Sequence, residues 1–491
     1  MNVPDPDSDP NPDPNTPSSD LRTKVVRGGS LMAARQVIGV AISLVGVILV
    51  TREIGPGQYG RFAACIGIYL WMTYVTTWGL DIYLMRRPPG QVPRRLYDQA
   101  FTLLTAVSLV VAGLGLALLG PIETAVGIQG IGRLLTVFFI GLPVALAVLP
   151  ARARLERKLD YRSLAVIDLV TLIQFQATAL ALAYLGYQAW SLVISWAINQ
   201  TLVVVLTHFG ARYLPRPAWS WGCTKDMLRF GLGYTVSLST VQLRRLINPL
   251  IVAPVAGDAA AGFVGMAEQF VSRVSVIKTI SEKMSVAALA KVQDQRERVR
   301  QLMGEGMRLH VLTVGVPLAA FSLVAPWLIP RLMGPQWSPA AELVPLISLS
   351  YMVAAVFGLH TAVLQIYNRN WLVAAFNAVA MAVLLGAAGV LVPRYGVVGY
   401  GWAEVMTVPT YLLIHLFLHR KVGSPEYRVA LVWTAGLGAL MLHRWAGWPA
   451  FAAAGLVLAW PTTWSALAGH LRQLRPAAAG SAGGRAAAGA D

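Results

Sequence analysis

The charged residues with the clearest chemical meaning lie inside apolar segments long enough to cross a bilayer. The stretch FVSRVSVIKTISEKMS (270–285) carries Arg273, Lys278, Glu282 and Lys283. A charge at the centre of a membrane helix costs about 2.5–3.5 kcal/mol on insertion scales, so such side chains face a cavity, pair with one another or reach an interface. Because the opposite face of this helix is apolar, we expect the segment to form one wall of a water-filled cavity.

Basic residues on three predicted helices indicate a binding site for an anion. Counted from the outer turn VAGDAA (255–260), Arg244 and Arg273 lie at the same depth, about 22 Å below the turn. Arg35 and Lys278 form a second, more cytoplasmic level. Arginine binds phosphate in a bidentate manner and lysine as a point charge, which favours a diphosphate ligand. The predicted substrate-binding residues are Arg35, Arg244, Arg245, Arg273 and Lys278.

Structural roles for these cations remain open. Arg244 and Arg245 point about 100° apart on one helix, so we expect only one of them to face the cavity. Lys278 and Glu282 are four residues apart and are able to neutralise each other. Lys283 lies near the cytoplasmic end and is expected to reach the interface. Salt bridges within one half of the protein are the alternative to substrate contact for the arginines.

Four acidic residues on predicted spans are candidates for coupling to H⁺ or Na⁺, because ion-driven transport needs a carboxylate that changes its protonation or coordination. Asp81 lies near an inner helix end, where solvation explains it, and Asp168 follows Arg162, which is a local partner. Glu268 has arginines within reach. Glu404 has no cation near it in the sequence and is the strongest candidate. The set is Asp81, Asp168, Glu268 and Glu404.

The composition is that of a polytopic membrane protein. Of 491 residues, 56% are hydrophobic and only 13% charged, against about 25% charged in soluble domains. The net charge of +17 falls in short bursts between apolar runs, which is typical of cytoplasmic loops and argues against a nucleic-acid partner. No spacing predicts a metal site, a catalytic residue or a cofactor, and the two cysteines predict no disulfide framework. The chain is therefore expected not to be an enzyme.

Fourteen apolar segments of spanning length are predicted, which makes the fold all-α. With the N-terminus inside, the inner loops and tails hold 28 lysines and arginines, the outer loops 6 and the spans 6, of 40 in all. This asymmetry predicts that both termini are cytoplasmic.

An internal repeat relates the two halves of the chain. A shift of 202 positions aligns Gly29 with Gly231, Val50 with Val252 and Gly60 with Gly262. The predicted helix 1–2 hairpin thus resembles the helix 7–8 hairpin. Helix 7 follows helix 1 by six crossings, an even number, so the repeats are parallel and predict a site between the two halves. The predicted divisions are a disordered Pro/Asp-rich cytoplasmic tail (1–24), an N-terminal lobe (25–210), a C-terminal lobe (211–422), helices 13 and 14 (423–470) and a flexible cytoplasmic tail (471–491).

Four strings resemble the Wzx-type polysaccharide flippases of the multidrug/oligosaccharidyl-lipid/polysaccharide exporter superfamily. Three of the strings place glycine and aromatic residues at the end of an apolar helix or in the turn that follows it. The fourth, 155–170, is a basic linker that leads into an apolar helix. They are LVTREIGPGQYGRFA (49–63), LERKLDYRSLAVIDLV (155–170), LGYQAWSLV (185–193) and MGPQWSPAAELVPLISLSYMVAAVFGLHTAVLQIYNRN (333–370). Together they extend the resemblance over residues 25–420.

The resemblance implies two six-helix lobes around a central cavity, with two further C-terminal helices. It also implies a flippase that moves a polyprenyl-diphosphate-linked oligosaccharide across the bacterial cytoplasmic membrane by alternating access, for cell-surface polysaccharide biosynthesis. Its partners are then the lipid-linked glycan, membrane lipids and polysaccharide polymerase or assembly proteins. Two alternatives keep the fold: a flippase for a lipid II-type peptidoglycan precursor, and an ion-coupled exporter of small molecules similar to MATE transporters. A membrane glycan polymerase or ligase is disfavoured, since no long exterior loop is available to build an active site.

Overall fold

The computed structural model describes residues 18–87 and 92–465, and its regular elements there are helices. Short 3₁₀ or π segments interrupt the α-helices at five places, including Leu243–Leu246 and Asn248–Val252. The α-helices are α1 (Ser18–Thr77), α2 (Leu80–Met85), α3 (Arg94–Ala117), α4 (Leu119–Val126), α5 (Ile131–Arg157), α6 (Tyr161–Tyr184), α7 (Ala189–Ala211), α8 (Trp221–Gln242), α9 (Ala253–Val274), α10 (Ile277–Lys291), α11 (Arg296–His310), α12 (Val316–Met333), α13 (Ser338–Ile366), α14 (Asn370–Met406), α15 (Tyr411–His419), α16 (Arg428–Met441), α17 (His443–Ala446) and α18 (Trp448–Ala459).

Within the described ranges, nine helical segments are long and apolar enough to cross a membrane. Three of them contain a glycine with non-helical backbone angles: Gly55, Gly257 and Gly396. Two shorter apolar helices, α16 and α18, follow these segments. The all-α polytopic fold expected from the sequence is confirmed, while the number of fourteen crossings stays a prediction.

The glycines that break α1 and α9 support the internal repeat. Gly55 has φ 77° and ψ 169°, and Gly257 has φ 88° and ψ 174°. These two positions are 202 residues apart, which is the shift that aligned the two hairpins in the sequence. A positive φ is accessible to glycine without the steric cost that other residues incur, so both turns need glycine. The two hairpins therefore share their backbone conformation as well as their sequence pattern.

The two hairpins contact each other through reciprocal glycines. A Cβ at Gly60 would lie 1.7 Å from the carbonyl oxygen of Asp258, and a Cβ at Gly262 would lie 2.1 Å from that of Pro56. Residues 56 and 258 are themselves equivalent under the shift of 202, so the contact is nearly self-complementary. Beside it, Arg61 Nε donates to Asp258 Oδ2 at 3.1 Å. Small residues let membrane helices approach at backbone distance, where van der Waals packing drives association.

The Gly-x-x-Trp turn before α13 packs onto the first hairpin. Gly334 has φ 103°, and the fully buried Trp337 follows it in a 3₁₀ turn. Trp337 Nε1 donates to the carbonyl oxygen of Thr51 at 3.3 Å, and its ring meets Tyr59 edge-on at 5.8 Å. Two of the sequence strings, 49–63 and 333–370, are thus in direct contact.

An aromatic cluster fixes α5 and α7 beside α1. Phe138 on α5 lies 4.4 Å from Trp196 on α7 and 5.5 Å from Tyr69 on α1, measured between ring centroids. A Cβ at Gly141 would meet the Trp196 ring at 2.6 Å, so this glycine makes room for it. The cluster holds the helices that carry Arg152 and Asn199 in a fixed register.

The chain forms two compact units. The first comprises the described part of Met1–Arg273 with Ala325–Ile347 and Arg369–Leu413, and the second comprises Val274–Val324, Ser348–Asn368 and the described residues from Ile414 onward. The predicted lobe boundaries at 210 and 422 stay predictions. The predicted C-terminal tail (471–491) and residues 1–17 lie outside the described residues. Helix α1 begins at Ser18, inside the predicted tail, where Ser18, Ser19 and Asp20 are residue types that favour helix starts.

We expect Gly60→Ala and Gly262→Ala each to lower the melting temperature of the detergent-purified protein by several degrees. The added methyl group would push apart two backbones that no side-chain rotation relieves. The matched control is Gly113→Ala on α3, where a Cβ meets nothing within 4 Å and alanine is the better helix former. Equal melting temperatures for Gly60→Ala and Gly113→Ala would contradict the close contact.

Candidate functional site

A cavity of about 470 Å³ lies among α1, α5, α6, α7 and α9 of the first unit. Its volume falls in the range of roughly 300–1,000 Å³ that is usual for small-ligand sites. The charged side chains on its described lining are three arginines and one aspartate. The polar lining residues are Arg35, Gln36, Ser43, Arg152, Asp168, Thr171, Asn199 and Arg273. The cavity therefore carries a net positive charge and suits an anionic ligand.

Asp168 is shared by two arginines from different helices. Arg35 Nη1 on α1 donates to Asp168 Oδ2. Arg152 on α5 binds the same carboxylate end-on, with Nη1 3.1 Å from Oδ1 and Nη2 3.4 Å from Oδ2. Arg152 also donates through Nε to Glu156 at 3.3 Å. The Asp168 side chain is only 18% exposed. One carboxylate thus orients two guanidinium groups at the cavity wall, each through charge-assisted hydrogen bonds.

The local sequence explains where Asp168 stands. Asp160 caps the N-terminus of α6, because its Oδ1 accepts a hydrogen bond from the Ser163 backbone N–H at 3.1 Å. The cap starts the helix at Tyr161 and places Asp168 two turns further in, about 12 Å along the axis. The basic string LERKLDYRS thus serves as the start signal of the helix that carries the carboxylate.

Arg273, the residue singled out in FVSRVSVIKTISEKMS, also lines this cavity. Among the described residues it forms no ion pair, and its buried Nε has no hydrogen-bond partner. Tyr59 on the first hairpin lies close enough to act on it electrostatically. Arg273 therefore differs from Arg35 and Arg152, whose charges are already balanced by carboxylates.

Arg244 belongs to a second polar cluster, and it is not among the cavity-lining residues. Its Nη2 lies 2.6 Å from Glu404 Oε1 and 3.9 Å from Glu268 Oε1. The Tyr400 hydroxyl lies 2.6 Å from Glu268 Oε1 and 2.9 Å from Glu404 Oε1. Glu404 is fully buried. Although no cation lies near Glu404 in the sequence, the fold brings one from 160 positions away.

The remaining predicted site residues have other surroundings. Arg245 is exposed and donates through Nε to Gln242 at 2.7 Å. Neither Arg244 nor Arg245 is among the cavity-lining residues, although one of the two was expected to face the cavity. Asp81 lies in the first turn of the short helix α2, where a negative charge favours the helix dipole. Lys278 belongs to the second unit, where it and Glu282 lie near His310. The side chain of Lys283 is outside the described set. The roles predicted for these residues stay predictions.

Sequence reasoning missed two polar residues. Arg152 falls between two predicted spans, where positive charge is expected for orientation alone. Tyr400 carried no signal, since a single tyrosine in an apolar span is ordinary. Asn199 also lines the cavity, and its Nδ2 donates to the Thr171 carbonyl at 2.7 Å. Arg162, the local partner expected for Asp168, is replaced in that role by Arg35 and Arg152.

A separate network between the segment after α7 and the start of α3 is structural. Tyr213, in the segment after α7, donates to Asp98 Oδ1 at 2.7 Å, and the Arg216 backbone N–H donates to the same oxygen at 3.1 Å. Burial, reinforced by Asp98, raises the pKa of Tyr213 well above its usual value, so the hydroxyl keeps its proton. The network anchors the loop to α3 and lies apart from the cavity lining.

Repeated hairpins, a basic cavity and many apolar helices define a multi-pass membrane protein of the transporter type. A family model described as polysaccharide biosynthesis protein matches residues 49–342. The chain belongs to that family. The succinoglycan biosynthesis transport protein ExoT of Rhizobium meliloti (strain 1021) is 23% identical over 438 residues, covering 85% of this chain and 87% of that protein.

Two solved structures share the fold. The lipid II flippase MurJ in an inward closed conformation superposes with a TM-score of 0.65 at 9% identity, covering 88% of this chain and 97% of that one. An inward-facing multidrug resistance MATE family transporter of the MOP superfamily gives 0.60 at 12% identity, covering 78% and 94%. The resemblance to the exporter superfamily is confirmed.

We expect Arg244→Gln to destabilise the protein by about 3 kcal/mol, because it leaves the buried Glu404 carboxylate without its charged partner. The matched control is Arg245→Gln, at an exposed position, which should change the free energy of unfolding by less than about 0.5 kcal/mol. The measurement is unfolding in detergent by SDS titration. The double variant Arg244→Gln/Glu404→Gln should recover part of the loss. A loss no greater than that of Arg245→Gln would show that the ion pair carries no stability.

Proposed function

We propose that this protein is a flippase that translocates a polyprenyl-diphosphate-linked oligosaccharide across the bacterial cytoplasmic membrane during cell-surface polysaccharide biosynthesis. The observation that carries the proposal is the cavity with three arginines against one aspartate on its lining. The basic inner loops predicted from the sequence support cytoplasmic termini and hence loading of the glycan from the cytoplasmic side.

The charge of the cavity favours a diphosphate. The link between a polyprenol and a sugar carries negative charge on oxygens that accept several hydrogen bonds. Arg273 has no competing carboxylate in the described structure, so it is the group best placed to make the first contact. Arg35 and Arg152 present further donors from two other helices. Substrate binding through Arg35 and Arg273 is thus the predicted role, and Arg152 joins them.

The polar uncharged lining suits the sugar part of the same ligand. Gln36, Ser43 and Asn199 lie on the cavity wall with the arginines. Amide and hydroxyl groups pair with sugar hydroxyls as donors and acceptors. The family description and the name of the Rhizobium relative, which refers to succinoglycan biosynthesis transport, both support a polysaccharide precursor as the cargo.

The two alternatives share the fold and differ in the cargo. A lipid II-type precursor also carries a polyprenyl diphosphate, so the cavity charge is compatible with it, and the MurJ likeness supports the shared fold. A small-molecule exporter of the MATE type would need a cavity suited to organic cations. Three arginines on the wall oppose that cargo by charge repulsion.

We propose that H⁺ coupling resides in the cluster of Glu268, Glu404, Tyr400 and Arg244. Two carboxylates share one guanidinium and one hydroxyl there. Tyr400 has a single hydroxyl proton for two carboxylate neighbours, so an added proton has a defined place between them. Asp168 and Asp81 are the other predicted candidates for ion coupling. Asp168 is paired with two arginines, which suits a different role.

The test is genetic complementation with direct detection of the cargo. Deletion of the gene should cause a polyprenyl-diphosphate-linked oligosaccharide to accumulate on the cytoplasmic leaflet, detectable by mass spectrometry of extracted lipids. We expect Arg273→Gln to reduce complementation at least about tenfold, because one charge-assisted contact to phosphate is lost. Arg133→Gln, an exposed arginine at the start of α5, is the matched control and should complement fully.

Two outcomes would oppose the proposal. If no lipid-linked glycan accumulates while resistance to cationic drugs falls, the protein is an exporter of the MATE type. If Arg273→Gln and Arg133→Gln complement equally at equal protein levels in the membrane, the cavity arginine does not bind the cargo.

A further inference from the structure

We propose that Asp168 is an internal counter-anion, whose carboxylate occupies the arginine donors that the diphosphate of the cargo takes over on binding. The inference rests on the proposed function and adds a role for a residue of opposite charge to the ligand. An acidic residue in an anion-binding cavity lowers affinity, so its presence needs a reason. The reason is that its carboxylate orients the guanidinium groups of Arg35 and Arg152.

The geometry places a carboxylate where a phosphate would bind. Asp168 accepts two hydrogen bonds from Arg152, through Nη1 and Nη2, and one from Arg35. Bidentate binding of a guanidinium by two oxygens is the same arrangement that arginine uses for phosphate. The partners come from α5 and α1, and the carboxylate comes from α6. Asp168 thus keeps both guanidinium groups oriented toward a shared acceptor.

The third arginine makes the exchange possible. Arg273 lines the same cavity and forms no ion pair within the described part of the chain. A diphosphate that contacts Arg273 first enters a cavity whose net charge is still positive. It brings more acceptor oxygens than one carboxylate, so it is able to replace Asp168 on Arg35 and Arg152 without leaving a guanidinium bare. The Asp168 carboxylate then lies beside a phosphate, and their repulsion weakens the complex.

This arrangement limits how tightly the cargo is held. A transporter gains nothing from a complex that dissociates slowly, because binding that is equally strong throughout the cycle does not raise turnover. When the diphosphate leaves, Asp168 pairs again with Arg35 and Arg152, so neither of these two guanidinium groups is left without a carboxylate. The carboxylate therefore assists release, and its removal should strengthen binding while slowing transport.

The experiment uses the purified full-length protein in nanodiscs, with farnesyl diphosphate as the probe and inorganic phosphate for comparison. We expect Asp168→Asn to lower the Kd for farnesyl diphosphate about tenfold and to reduce transport in the complementation assay, because asparagine keeps the shape and removes the charge. Arg273→Gln should raise the Kd about tenfold. The matched control is Asp258→Asn, which removes the same charge from a pair with one arginine outside the cavity and should leave the Kd within twofold.

A second comparison covers the case in which Asp168→Asn fails to fold. The double variant Arg152→Gln/Asp168→Asn removes one charge of each sign, and it should bind farnesyl diphosphate about tenfold more tightly than Arg152→Gln alone. A residue that only supports the structure would weaken binding when removed, which is the opposite direction.

The outcomes separate this inference from the proposed function. If Asp168→Asn binds the probe equally or more weakly while Arg273→Gln still loses affinity, the counter-anion role is wrong and the diphosphate cavity stands. If the wild-type protein does not bind farnesyl diphosphate, or binds inorganic phosphate as tightly, the cavity does not recognise a lipid diphosphate and both proposals fail.

Discussion

The contact between Gly60 and Gly262 is the constraint on which the arrangement of the first unit depends. Each glycine meets a backbone carbonyl of the other hairpin at a distance that no side chain allows. In lipid, apolar side chains gain nothing by leaving one apolar environment for another, so close backbone packing must supply the attraction. The Arg61–Asp258 pair lies beside this contact, and the Trp337 ring packs on Tyr59 one residue from it.

Two charged clusters of the first unit differ in how far their charges are balanced. In the Arg244 cluster two carboxylates face one guanidinium, and Glu404 is wholly buried. At the cavity, three arginines face Asp168 on the lining, with Glu156 pairing behind Arg152. The first cluster has a deficit of positive charge and suits an added proton. The second has an excess and suits an added anion.

A feature of the fold or the site could be predicted when its signal lies in a short stretch of sequence or recurs at a fixed spacing. The repeat was readable because glycines at turns and close contacts recur at one spacing, and Gly55 and Gly257 adopt the same conformation as a result. The cavity positions of Arg35 and Arg273 followed from the high cost of charge in a membrane. The partners of the charged residues could not be predicted, because Arg152 pairs with Asp168 only through the packing of α5 on α6.

Glu404 also shows that the sequence does not reveal contacts between residues far apart in the chain. Its isolation in the sequence made it the strongest candidate for a lone functional acid, yet Arg244 lies 2.6 Å away in the fold. Helix periodicity tells which face a residue occupies, but the helix that covers that face is chosen by tertiary packing. The depth estimate for Arg244 and Arg273 has the same weakness, because it fixed a level along the membrane normal without fixing a direction around it.

In the proposed function, the distance of the cavity arginines from the glycine contact would link binding to motion of the hairpins. Arg35 precedes the turn at Gly55 by 20 residues and Arg273 follows Gly257 by 16, so they lie about 30 Å and 24 Å along their helices from the turns near which the hairpins touch. A rotation of about 10° at the contact would shift such distant positions by roughly 4 Å. That is enough to break a hydrogen bond to a shared ligand. A diphosphate bound between Arg35 and Arg273, as we propose, would therefore favour one orientation of the hairpins.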